Sequence, residues 1–61
     1  MKYVVQVRKA HNGYVTRCAT DKWNYAMLHY KCINIGAPYT KRLIEISEYG
    51  GYKVIFRSKG L

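Results

Sequence analysis

Thr20-Asp21-Lys22-Trp23-Asn24-Tyr25-Ala26-Met27-Leu28-His29-Tyr30-Lys31-Cys32-Ile33-Asn34-Ile35-Gly36-Ala37-Pro38 decides the fold. It is the one long stretch whose apolar residues recur at helical spacing. Thr20 or Asp21 offers an N-cap, since either side-chain oxygen accepts from the first orphan N–H groups. Gly36 suits the left-handed position after a helix, and Pro38 cannot continue one. The segment therefore predicts a helix over about 22–35. At 100° per residue, Trp23, Ala26, Met27, Tyr30, Ile33 and Asn34 share the side that should meet a sheet. Tyr25, Leu28, Cys32 and Ile35 fall elsewhere. Either the 37–39 loop folds back over them or a partner does.

Working outward, each flank predicts a hairpin. Residues 3–9 alternate and are rich in Val, and residues 14–19 form the returning strand. His11-Asn12-Gly13 lies between them, and Asn-Gly is a strong hairpin signal because both residues tolerate positive φ. On the other side, residues 40–48 and 52–58 alternate around Tyr49-Gly50-Gly51. The order ββαββ predicts a single α+β domain over 1–61, a four-stranded antiparallel sheet with one helix packed on one face.

Parity assigns the strand faces. Tyr3, Val5, Val7, Ile44, Ile46, Val54 and Phe56 are expected to face the helix. On the second strand Tyr14, Thr16 and Cys18 are expected inward, because the other choice would bury Arg17. The outer sheet face then carries Gln6, Arg8, Val15, Arg17, Glu45, Lys53, Ile55 and Arg57.

Composition narrows the function. With 61 residues, of which 49% are hydrophobic, the chain has room for one core and is too apolar to be disordered. A dinucleotide fold, a repeat array and a large enclosed active site do not fit. Eleven Lys and Arg stand against Asp21, Glu45 and Glu48, a net charge of +8 with pI near 9.8. The basic residues are spread along the chain, which predicts a basic folded surface for nucleic acid or an acidic protein. Met1-Lys2-Tyr3-Val4-Val5-Gln6-Val7-Arg8 is too short and too polar for a signal h-region, and no run approaches a membrane span. Cys18 and Cys32 have no CxxC spacing, which predicts a reduced, cytoplasmic protein with buried or half-buried thiols.

Little in the sequence points to chemistry. Glu45 and Glu48 are the only glutamates and fall on opposite faces by parity, so no acid–base pair is expected. His29 and Cys32 lie one helical turn apart, but His11 and Cys18 complete no zinc spacing. Gly50-Gly51 lacks the Lys-Ser/Thr of a phosphate loop. No enzyme, metal or cofactor is expected. The positive signal is basic residues interleaved with aromatics, including seven tyrosines that can stack bases or anchor an interface. Arg8, Arg17, Lys53 and Arg57 are the expected nucleic-acid contacts. Tyr25, Leu28, His29 and Cys32 are the expected protein-binding residues, for a host protein or a homodimer.

With its opening at 1–8 and a single helix between hairpins, the chain resembles the short accessory proteins of tailed bacteriophages. That resemblance implies an early product that binds and redirects a host enzyme such as RNA polymerase, a nuclease or a defence complex, in the host cytoplasm. It assigns no functional residue. The sheet-and-helix arrangement is also similar to integrase arm-binding domains, whose small sheet enters the DNA major groove.

Overall fold

The computed structural model describes residues 2–60. Strand β1 (Lys2–Lys9) turns into β2 (Val15–Thr20), helix α1 (Trp23–Cys32) crosses over, and β3 (Tyr39–Ile46) turns into β4 (Tyr52–Lys59). The four strands form one sheet in the order β2-β1-β3-β4, and each neighbouring pair is antiparallel. The expected ββαββ domain is present, with β1 and β3 at its centre.

The core sits between α1 and the two central strands. Val5 and Leu43, direct partners across β1 and β3, are fully buried and cluster with Ala26 and Tyr30 of the helix. Tyr3, Cys18, Met27 and Ile33 pack around them. Trp23 stacks edge-on against Tyr3 (5.2 Å between ring centroids) and lies 6.3 Å from Phe56. It is nevertheless 39% exposed, so it caps the core rather than filling it. The Tyr30 ring lies near Phe56, and its hydroxyl shares a 2.6 Å hydrogen bond with the Ser58 hydroxyl. That contact ties the helix to the far strand.

Parity fails at three places. On β3 it is Leu43 that faces the helix, because it pairs with Val5. Ile44 pairs with Val4 and Val54, so Ile44 and Ile46 belong to the opposite face. Val4 and Ile44 are both buried there, although no helix packs on that side. The other two failures are β-bulges. The β1–β2 register shifts at Val5/Gln6, leaving Arg17 as an extra residue. The β3–β4 register shifts at Leu43/Ile44, leaving Ile55 as the extra residue. A bulge leaves one residue unpaired and breaks the two-residue alternation. Thr16 therefore faces away from the helix, opposite Gln6, while Cys18 faces it. Phe56 faces the helix while Val54 does not.

The helix is shorter than its sequence promised. Its N-cap is Lys22, without a side-chain cap bond. Thr20 instead accepts from the Lys22 N–H at 3.1 Å, a local turn just before the helix. Ile33 is the extended C-cap, and β-branched Ile33 and Ile35 favour leaving the helix. Gly36 does not take the left-handed conformation. The Lys41 ammonium from β3 performs the capping, donating to the Tyr30 carbonyl (2.7 Å) and the Ile33 carbonyl (3.0 Å). A cation there also complements the negative end of the helix dipole. Lys41→Met is expected to cost about 1.5–3 kcal/mol, the usual range for bonds to a charged group. A thermal melt should show the loss, with faster amide exchange confined to the last helical turn.

The hairpin turns also depart from expectation. In the first, Lys9 accepts from the Asn12 N–H at 3.0 Å, and Ala10 rather than Gly13 adopts positive φ, at 53°. The second is built as read: Ser47 accepts from Gly50, and Gly50 takes φ 89°, where a side chain would be strained. Pro38 follows a cis peptide bond in the turn closed by Gly36 and Tyr39. Gly60 donates to the Tyr39 carbonyl at 2.7 Å. A Cβ on Gly60 would overlap the Gly36 backbone, so only glycine fits that approach.

Candidate nucleic-acid interface

The face of the sheet away from α1 carries no helix, and its side chains stand in rows across the strands. Directly opposed residues project from the same face, so the pairings define each row. Arg8, Thr40 and Lys59 form the first, with Tyr14 at its β2 end. Thr16, Gln6, Arg42 and Arg57 form the second. Ala19, Val4, Ile44 and Val54 form an apolar third, and Lys2, Ile46 and Tyr52 the last. One half of the face is cationic and the other mostly apolar, with Lys2 at its edge.

Arg42 organises the cationic half. Its Nε donates to Gln6 Oε1 at 2.8 Å, and its guanidinium carbon lies 3.7 Å from the Tyr14 ring centroid and 5.3 Å from that of Tyr52. Arg8 lies over the same Tyr14 ring at 4.7 Å. Planar guanidinium groups stack on aromatic faces in this way. Two arginines are thus held before any ligand arrives, which reduces the ordering cost of binding. Tyr52 remains 62% exposed, leaving ring surface for stacking.

The charges on this half are not balanced. Arg42 and Arg57 are direct partners, and like charges directly opposite destabilise a sheet. Of the three acidic residues, Glu45 is opposite Tyr3 and Lys53, on the helix side. Asp21 and Glu48 line a hollow with Lys2 and Ile46 at the far, apolar end.

Arg8 and Arg57 therefore stand on the open face as expected, and Arg17 and Lys53 do not. Arg17 is the bulge residue of β2 and borders a hollow with Val7, Ile33 and Tyr39 beside the helix end. Lys53 is opposite Glu45. Arg42, Lys59, Tyr14 and Tyr52 belong to the face and were missed. Choosing Ile44 and Ile46 as inward also turned Arg42 inward on paper. The signal that finds it is the Val5–Leu43 pairing, which reverses that choice.

The helix surface is as expected at three positions. Tyr25, Leu28 and Cys32 are exposed, and His29 is half-buried with its ring 4.5 Å from that of Tyr25. These four residues form one stripe, which the 37–39 loop leaves uncovered. Both thiols are free; Cys18 is half-buried, but Cys32 is exposed rather than shielded. Among the described residues there is no group of three or more His, Cys, Asp or Glu that would hold a metal. No helix among them is long and apolar enough to cross a membrane. No protein-family model, curated protein or solved structure matches the chain.

Proposed function

We propose that this chain is a non-enzymatic nucleic-acid-binding module whose open sheet face is the working surface. The observation that carries the reading is the directly opposed Arg42–Arg57 pair on a half-face without a carboxylate among the described residues. A fold gains nothing from that repulsion, whereas phosphates relieve it. Arg8, Arg42, Arg57 and Lys59 contact phosphates, and the exposed Tyr52 ring offers a base a stacking surface. Single strands suit an open sheet with an exposed aromatic better than duplex does.

A salt titration with a fluorescent single-stranded oligonucleotide tests this. Four phosphate contacts give a log–log slope of about −3. Arg57→Gln with Lys59→Gln should reduce the magnitude of the slope by about 1.4, two contacts' worth. Arg17→Gln with Lys53→Gln should leave it unchanged. Absence of binding at about 50 mM salt overturns the reading, since that is where phosphate contacts are strong.

A second reading rests on the uncovered stripe Tyr25, Leu28, His29 and Cys32: a phage-type adaptor that engages a host protein, in the host cytoplasm, or a second copy of itself. A stoichiometric partner that survives nuclease treatment in a pull-down favours it over nucleic acid. Sedimentation of the chain alone separates the homodimer from a foreign partner.

A further inference from the structure

At the end of the cationic half, the sheet closes into a recess of about 320 Å³ bordered by Arg8, Ala10, His11, Thr40, Lys59 and Gly60. That volume lies at the small end of ligand pockets, roughly 300–1,000 Å³. We propose that the recess is an anion site that grips a single phosphate group. The inference deepens the nucleic-acid reading and rests on it for the strand as the source of that phosphate.

Four observations converge on this recess. Its border supplies a guanidinium, an ammonium, an imidazole and a hydroxyl, with no carboxylate among the described residues that line it. The Arg8 Nε is buried with no hydrogen-bond partner among the described residues, although buried donors of this kind are nearly always satisfied. Arg8 as a residue is only half-buried and borders the recess, and bonds from guanidinium to phosphate are among the strong ones. Ala10 holds a positive φ of 53° at the border, a conformation that costs a non-glycine residue energy and collects at ligand sites. Finally, the walls are fixed by backbone bonds, Ala10 N–H to the Pro38 carbonyl (3.0 Å) and Gly60 N–H to the Tyr39 carbonyl (2.7 Å), so the recess exists before a ligand enters.

The test is an amide NMR titration of the full chain with inorganic phosphate against chloride at matched ionic strength. Saturable shifts should centre on His11, Thr40 and Gly60. Arg8→Gln should weaken phosphate about tenfold, the loss of one charge-assisted bond. Lys59→Gln and His11→Ala, at exposed positions, read the same site if Arg8→Gln disturbs the fold. Lys53→Gln, opposite Glu45 on the helix side of the sheet, should leave phosphate affinity unchanged. Oligonucleotides with and without a terminal phosphate then identify the source. Tighter binding of the phosphorylated strand assigns the site to a chain end, and equal binding that displaces inorganic phosphate assigns it to an internal phosphate. Unsaturable or scattered shifts overturn the recess even if oligonucleotides still bind the face. Saturable phosphate binding without oligonucleotide binding keeps the recess and removes the strand as its source.

Discussion

Leu43→Ala should leave the chain largely unfolded at room temperature, while Leu28→Ala should melt like the parent. The residue type is the same, so the contrast isolates position. Leu43 is fully buried against Val5, Ala26 and Tyr30, with Phe56 opposite on β4. Truncation removes its transfer energy and leaves a cavity that a tightly paired sheet cannot close, a cost of about 2–5 kcal/mol. A domain of this size rarely holds more than about 3–5 kcal/mol in total. Leu28 is 58% exposed on the outer helix, where a substitution typically stays within about 0.5 kcal/mol. Circular dichroism melts of the two variants read the difference directly. A cooperative Leu43→Ala melt near the parental temperature would mean that the core lies elsewhere.

Arg42→Ala should show the second large effect, and on two readouts at once. It removes the charge-assisted bond to Gln6 and the stacks on Tyr14 and Tyr52. The bond contributes about 1.5–3 kcal/mol and a stacked cation about 0.5–1 more. Relief of the Arg57 repulsion offsets part of this, so the expected loss is about 2 kcal/mol. Arg42→Lys should recover little, because an ammonium has neither the flat surface nor the fixed fork. The Tyr14 and Tyr52 ring resonances should shift together in both variants, since one group spans both rings. Oligonucleotide affinity should fall in parallel, and more steeply at low salt. Unchanged stability in Arg42→Ala would show that the stack contributes nothing to the fold.

Element order was legible because its signals are local. A helical period between two alternating runs needs no knowledge of what packs where. Gly50 was legible for the same reason, since a turn's geometry is set by its own residues. Faces are a long-range property, and they were only half legible. On β3 the count favoured Ile44 and Ile46 over Leu43, yet the partner strand decides, and Val5 selects Leu43. The bulges at Arg17 and Ile55 carry no compositional mark, and each inverted the apparent parity of the strand beyond it. That is why Arg17 was placed on the open face and why Cys18 and Thr16 were put together. The site was misread to the same degree: Arg8 lies on a regular strand and was found, whereas Arg42 depended on a pairing not visible locally. Trp23 was taken for core on helical spacing alone, but it is the first residue of the helix and stays 39% exposed.

The two bulges also determine where this chain tolerates a change in length. In β2 and β4 a single-residue deletion within regular pairing would exchange the faces of all residues between the cut and the next irregularity. Loss of Arg17 or Ile55 has the opposite effect: Thr16 and Cys18, or Val54 and Phe56, become neighbours that already point to opposite sides. The shortened strand regains simple alternation with every partner kept, and gives up only local twist. Among diverging descendants, gaps in the outer strands are therefore tolerated at these two positions, and the pattern of cations on the open face survives them.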